Sequence, residues 1–449
     1  MNFELTKKFL ESLRIAIEKN DEKFVLEHIF ELHPADIAEI LDELTPEEGK
    51  LLFHQFDEEK AADVLVELEE DVREKFLASL SSKEIAEQFI DNLESDDAAD
   101  VIGELPEDVK EEVISHLEDV DQASDIVDLL NYEEGTAGAL MGKEMIAVQE
   151  NWTIMRCTKE MRKQAEEIDF VYTVYVVTEK SKLIGTLSLK RMLLTPAKSK
   201  ITDIYNSEVI SIRATAKDEE VAQIMQKYDL IALPVIDELG RLIGRITIDD
   251  VVDVIQEESE KDYQMASGIS EDVESSDKVW VLTRARLPWL LIGLLGGIFG
   301  AQVIALYETD LGIHPEMAFF IPLIAAMGGN VGVQSSAIIV QGLANNSLGF
   351  TGITSRLYKE FLVGLLNGLI CSALILMYNM VFSDSMELSY TVSAALLVVI
   401  IFAALFGTFI PLILDKYKID PALATGPFIT TLNDILGLFI YFYIGSLMY

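Results

Sequence analysis

The apolar residues of the chain fall into three successive patterns. In residues 1 to about 130 they come in short helical blocks: Ala38-Glu-Ile-Leu-Asp-Glu-Leu44, Ala62-Asp-Val-Leu-Val-Glu-Leu68, Ala86-Glu-Gln-Phe-Ile-Asp-Asn-Leu93 and Ala99-Asp-Val-Ile-Gly-Glu-Leu105. The first three begin 24 residues apart, a period that suits a pair of short helices. With Pro34, Pro46 and Pro106 at helix starts, the blocks predict an all-α superhelix whose units bury their apolar faces on neighbours.

From Met141 to Ile255 the pattern switches to β-branched runs alternating with helices, and it does so twice. Val174-Tyr-Val-Val177 followed by Leu183-Ile-Gly-Thr-Leu-Ser-Leu189 matches Leu233-Pro-Val-Ile236 followed by Leu242-Ile-Gly-Arg-Ile-Thr-Ile248, the paired glycines lying 59 apart. Residues 249 to 276 continue as an acidic helical connector, with Asp250, Asp253 and Glu257 on one face and Glu258 and Asp262 on the next. Five long apolar segments follow, at Leu287 to Leu306, Met317 to Leu343, Phe361 to Phe382, Ser389 to Leu414 and Pro421 to Met448. The predicted organisation is multidomain: an all-α superhelical N-domain at 1–130, an α/β tandem pair at 137–255, a connector helix at 256–283 and an α-helical membrane domain with five transmembrane helices at 284–449.

Charge divides the chain in the same place. Residues 1–286 carry 31 Lys and Arg against 67 Asp and Glu, a net charge of −36. Such a polyanion repels nucleic acid and anionic lipid and concentrates cations. Cys157 and Cys371 are too few and too far apart for a disulfide framework or a cysteine zinc site, and Met1 to Leu13 is charged throughout, unlike a signal peptide. The N-terminus is expected in the cytoplasm and, after an odd number of spans, the C-terminus outside. Basic residues agree: Arg284 with Arg286, Arg356 with Lys359 and Lys416 with Lys418 fall on one side, while the loops at 307–316 and 383–388 contain no Lys or Arg.

The candidate chemistry is carboxylate chemistry. Asp434 is the one acid in the last segment, near the middle of a 28-residue stretch, and a carboxylate at membrane depth usually faces a water-filled path. Gly426-Pro427 inside that segment predicts a broken helix with freed carbonyls; the competing expectation is that Asp434 or Asn433 caps a half-helix restarting after Pro427. In the second segment Gly328-Gly329-Asn330-Val-Gly332-Val-Gln334 permits close helix approach and offers polar groups to water or ions. In the soluble part, Asp96, Asp97 and Asp100 place two carboxylates four apart on one helix face, either as solvated surface or as a divalent-cation contact. Mg²⁺ sheds water reluctantly, so its path needs a wide polar cavity with one or two carboxylates. Two chains on a two-fold axis would bring two Asp434 carboxylates to one hydrated ion, which makes a homodimer the economical expectation. An intramembrane metalloprotease needs His-Glu-x-x-His, and the only His beyond residue 116 is His314. A proton-coupled divalent-cation transporter stays open as the alternative to a channel.

The repeated β-unit resembles a tandem pair of CBS domains, a βαββα regulatory module. Its second copy has the Gly-x-x-Thr-x-x-Asp pattern in Gly244, Thr247 and Asp250, which in relatives holds a nucleotide's ribose, so the resemblance implies ATP as a CBS ligand at Thr247. The first copy departs from it, with Ser188 and Arg191 in place of Thr and Asp, and a purely structural dimerising pair is the competing expectation. Over essentially its whole length the chain resembles MgtE-type magnesium channels, most specifically in Gly-Gly-Asn-x-Gly-x-Gln and in Pro427-Phe-Ile-Thr-Thr-x-x-Asp434. The resemblance implies a homodimer in the cytoplasmic membrane, with hydrated Mg²⁺ held in the pore by Asp434 and by backbone near Thr430. Regulatory Mg²⁺ would bind in the cytosol at Asp96, Asp100, Asp229, Asp250, Asp253, Glu258 and Asp262. Lys261 departs from the acidic run of that face and leaves the ion count there open.

Overall fold

A computed structural model describes the chain except residues 1, 2, 4, 20, 166, 167, 169, 272, 274–276, 345–351, 384 and 425 and the side chains of 22, 26 and 424. The chain divides into two compact units, Met1–Ile255 and Gln256–Tyr449.

The first unit begins with short helices that stack on the helix two further along: Pro34–Asp42 on Glu58–Val66, that on Ser82–Gln88, and that on Glu107–His116. The 24-residue repeat is the reason. Its small residues Ala38, Ala62 and Ala86 are all buried at these crossings, and Leu41 and Leu65 fill the space beside them. Capping boxes at Thr45 with Glu48 and at Ser81 with Glu84 satisfy first-turn amides, so each short helix starts at a defined residue. The helix carrying the predicted acid pair, α1, is Ser95–Gly103.

Two three-stranded sheets follow. β1 (Ile146–Gln149) runs parallel to β2 (Val174–Val177), which is antiparallel to β3 (Leu183–Leu187). β4 (Ile212–Arg213), β5 (Ala232–Ile236) and β6 (Leu242–Thr247) repeat that order. Both copies pair their glycine identically, Val176 with Gly185 and Val235 with Gly244, so the sequence repeat is a repeat of register. Before β5 lies α2, Asp218–Tyr228, and after β6 comes α3, Ile248–Ala266. The predicted connector helix is shorter than expected: α3 stops at Ala266, and Gly268 follows at φ 81° in the left-handed region that ends helices. Residues 272 and 274–276 of the predicted connector lie outside the described residues.

The second unit contains five helical segments long and apolar enough to cross a membrane. They are α4 (Val279–Leu306), α5 (Ile321–Ala344, preceded by a 3₁₀ turn from Pro315), α6 (Ile353–Phe382), α7 (Met386–Lys416) and α8 (Pro427–Met448). α7 is at the centre, packed on α5, α6 and α8, with Val392, Ala395, Val399, Ile400 and Ala403 all buried. α4 presents Leu290, Leu294 and Ile298 outward, as a helix facing lipid does.

Candidate ion sites

The break predicted inside the last segment falls at its start. Gly426 adopts φ 55°, ψ −128°, and α8 begins at Pro427, where the fixed proline φ and missing N–H are harmless. α8 therefore has 22 residues, and Asp434 is its eighth, about 10 Å from the helix start rather than midway along a 28-residue span. The carbonyl freed at the break is that of Gly426. Thr430 takes it back, its amide donating at 3.1 Å and its hydroxyl at 3.0 Å. The predicted backbone contribution near Thr430 thus reduces to Gly426, since the helix is regular from Pro427 onward. Neither Asp434 nor Asn433 caps α8, whose N-cap is Gly426. Residue 425 of the approach lies outside the described residues.

What positions Asp434 is the glycine run of α5. A Cβ built on Gly329 would lie 3.5 Å from Asp434 Oδ1 and 3.4 Å from Thr430 Cγ2, so the two α8 residues, one turn apart, share the face laid against Gly329. On the adjoining face Asn433 is 1% exposed, and a Cβ on Gly332 would sit 1.8 Å from its Nδ2. The Asn433 amide therefore fills the notch that glycine leaves, and among the described residues neither its nitrogen nor its oxygen has a hydrogen-bond partner. Helix packing explains Gly328, Gly329 and Gly332; Asn330 and Gln334 of the same motif are exposed. Among the described residues Asp434 forms no ion pair.

In the first unit the acids are crowded. Glu94, Asp96 and Glu144 each bring a carboxylate oxygen within 4.8 Å of the others. Ser95 fixes Glu144 by donating from its amide and its hydroxyl, both at 2.9 Å, and in turn accepts from the Lys143 amide at 2.9 Å. Asp96 is 7% exposed. Burial first, and then the charges of Asp250, Asp97, Glu144 and Glu94, push its carboxyl well above the ordinary range. Asp97 is pushed to about 7 by burial, then by Asp250 and Asp100. Asp250 is raised by burial and by Asp249, against the pull of two hydrogen bonds and of Arg245. Those hydrogen bonds come from the Thr247 amide at 3.1 Å and the Thr247 hydroxyl at 2.7 Å, both to Oδ2. In this chain the Thr-x-x-Asp pattern makes a helix cap: Asp250 reaches back to the residue before α3, and the Thr247 hydroxyl is committed to it.

Of the acids predicted from sequence, the structure brings Asp96 near Asp250 and Glu258 near Asp262, and leaves Asp229 and Asp253 exposed. Asp100 points to solvent, so the partners of Asp96 are Glu94, Asp97, Glu144 and Asp250 rather than its i+4 neighbour. Asp229 is the exposed left-handed C-cap of α2, at φ 50°. Asp253 is exposed on α3. In the second unit Glu258 pairs with Lys261 at 3.0 Å, which accounts for the basic residue on that face. Asp262 is raised by burial, then by Asp420 and Glu258. Sequence reasoning missed Glu94, Glu144 and Asp420. Asp420 carried a local signal, an acid just before Pro421, and it caps that turn by accepting from the Ala422 amide at 2.8 Å. Glu94 and Glu144 carried none, because they meet only through the fold.

Known proteins share this layout. A family model for the MgtE divalent cation transporter matches residues 321–444, one for the MgtE intracellular N domain matches 32–135, and CBS domain models match 137–196 and 201–257. The chain is 32% identical over 448 residues to the magnesium transporter MgtE of Thermus thermophilus, covering 99% of each. To the Bacillus subtilis protein of that name it is 34% identical over 318 residues, 71% of this chain and 70% of the relative. Among solved structures, the cytosolic domain of the Mg²⁺ channel MgtE in complex with ATP aligns with TM-score 0.50 and 33% identity, over 55% of this chain and 99% of that one. The soluble part of a magnesium transporter aligns with TM-score 0.50 and 28% identity, over 56% of this chain and 99% of that one. On the strength of the full-length match and of the successive N-domain, CBS and membrane segments, the chain belongs to the MgtE family of magnesium transporters.

Proposed function

We propose that the protein is a Mg²⁺ channel of the cytoplasmic membrane that imports the ion past Asp434 and closes when cytosolic Mg²⁺ fills its acidic sites. The observation that carries the transport step is one carboxylate on an apolar helix, lying against a glycine of the neighbouring helix with no cationic partner among the described residues. A carboxylate so placed is expensive unless it meets water or an ion. A single acid suits an ion that keeps its water shell and takes few protein ligands. Two chains related by a two-fold axis would bring a second Asp434 and nearly balance the divalent charge. We place the N-terminus in the cytoplasm and the C-terminus outside, as the basic loop residues require.

Closure rests on the buried acids of the first unit. Asp96, Asp97 and Asp250 hold their protons above the ordinary carboxylate range, which marks a place where positive charge is short. Bound Mg²⁺ supplies it there, and at Asp262, Glu258 and Asp420, and so favours the gathered, closed form by population shift. Asp100, Asp229 and Asp253 are outer ligands in this scheme. ATP is a candidate CBS ligand because the cytosolic domain of a similar channel was solved with it, but the Thr247 hydroxyl is already used by Asp250. Purified protein in proteoliposomes decides the main point: Mg²⁺ flux that persists with the proton gradient collapsed supports a channel. Flux that stops with the gradient makes the protein a proton-coupled transporter.

A further inference from the structure

We propose that Arg245 is a tethered cation that holds the N-terminal helices on the second CBS repeat, and thereby sets the cytosolic Mg²⁺ concentration at which the acidic sites close the channel. The proposal rests on the sensor role of Asp96, Asp97 and Asp250 proposed above and concerns its set point. In the repeat register Arg245 is the counterpart of Thr186, 59 residues earlier, so the second copy carries a long cation where the first has a short hydroxyl. Its backbone is locked to Gly142, the amide donating at 2.9 Å and the carbonyl accepting at 2.8 Å. Its side chain is buried, at 4% exposure. Nη2 donates to Glu94 Oε2 at 2.8 Å, Nε donates to the Glu144 carbonyl, and the guanidinium lies 5.7 Å from the centre of the Tyr172 ring. One side chain thus ties the start of α1, the segment before β1 and the loop before β2.

A buried guanidinium is costly unless it is paired, and here it is paired with Glu94 and donates from Nε and Nη2. Four carboxylates, Glu94, Asp96, Glu144 and Asp250, feel its charge, so it offsets their repulsion without neutralising them. Two opposite consequences follow from removing it. Loss of the bridge raises the Mg²⁺ needed to gather the acids, whereas loss of a like charge near the ion lowers it. The hydrogen bonds decide between them. They go to Glu94 and to the Glu144 carbonyl, while the Asp250 carboxylate takes its hydrogen bonds from Thr247, so bridging outweighs competition.

The test is flux of the full-length protein in proteoliposomes against stepped Mg²⁺ on the cytosolic face, with protease protection of the 130–140 segment in parallel. Arg245→Gln should raise the half-closing Mg²⁺ concentration about five- to tenfold, within the usual span of a coupling between sites. Arg245→Lys keeps the charge but loses the fork and the ring contact, and should raise it by a smaller factor. Glu94→Gln breaks the same bridge from the other side and serves if the Arg245 variants fold poorly. An unchanged or lowered midpoint in Arg245→Gln, or an unchanged midpoint in both Arg245→Lys and Glu94→Gln, overturns the bridge. If the parent protein itself shows no closure with rising Mg²⁺, the sensor role fails instead, and the bridge falls with it.

Discussion

Asp434 and Asp96 are both carboxylates removed from bulk water, yet their surroundings are opposite. Asp434 stands alone on α8 beside a glycine, whereas Asp96 lies among Asp97, Glu94, Glu144 and Asp250 with Arg245 at hand. A lone acid without a cationic partner attracts an ion without trapping it, as the proposed passage would require. A crowd of acids with one tethered cation is poised between two charge states, which is what sensing requires. Under the proposed function the membrane helices would use one charge for transport and the first unit many charges for control, so each can be broken separately.

The largest effect should come from the lone acid. Asp434→Asn keeps the shape and removes the charge, so Mg²⁺ flux in proteoliposomes should fall tenfold or more, each decade corresponding to about 1.4 kcal/mol. Asp434→Glu should retain part of it. Parent-like flux in the Asn variant would remove Asp434 from the ion path. The residual current should still close at the parent's Mg²⁺ concentration, since the cytosolic acids are untouched.

The reverse experiment breaks the crowd. Asp96→Asn combined with Asp250→Asn should leave flux in zero internal Mg²⁺ at the parent level and move the half-closing concentration upward about 5- to 150-fold, the range of ordinary coupling energies. Patch-clamp recordings with stepped internal Mg²⁺ measure it, and an unmoved midpoint removes these two acids from the sensor. A third variant bears on packing beside Asp434. Gly332→Ala drives a methyl into the Asn433 amide, and overpacking of this kind costs about 1–3 kcal/mol. The detergent-solubilised protein should melt several degrees lower, and Gly332→Ala with Asn433→Ala should recover part of the loss.

The sequence carried the fold almost entirely, because its signals are periodic. The 24-residue blocks, the doubled β-pattern and the five apolar runs each reappear as the elements they imply. Asp434 was legible for the same reason, as one acid in an apolar run. The soluble cluster was half legible. Asp96 and Asp250 are in it, but helical spacing suggested Asp100 as the partner of Asp96, whereas α1 turns Asp96 inward and leaves Asp100 in water. The true partners, Glu94, Glu144 and Arg245, are ordinary charged residues until the stacked helices meet the second repeat, and long-range meetings of that kind leave no periodic trace. Gly426-Pro427 marks the expected break, but it separates a short 3₁₀ turn from a full helix rather than dividing a long helix midway, a difference set by where the preceding turn ends.

The smallest predicted effect is also the most diagnostic of the crowd. Burial, with the charges of Asp250 and Asp100 behind it, pushes the Asp97 carboxyl from the ordinary 3.8 up to about 7 in the folded protein. Since its folded value is the higher one, the native state binds the proton more tightly, and the stability this gives is complete below the free value and lost as pH rises through about 7. In the absence of divalent ions the first unit should therefore weaken as pH climbs from about 4 to 8. Mg²⁺ reverses the trend because it takes the proton's place, so proton and ion compete. Lowering the internal pH from 7.5 to 6.5 should raise the half-closing Mg²⁺ concentration about threefold, as one competing proton with that affinity dictates. The exposed Asp100 acts only through its charge, which helps hold the Asp97 proton. Asp97→Asn should flatten most of the pH dependence, with Asp96 and Asp250 accounting for what remains, and Asp100→Asn should reduce it less, and flux recordings at the two pH values that show equal dependence in both variants would place the titrating group elsewhere in the cluster.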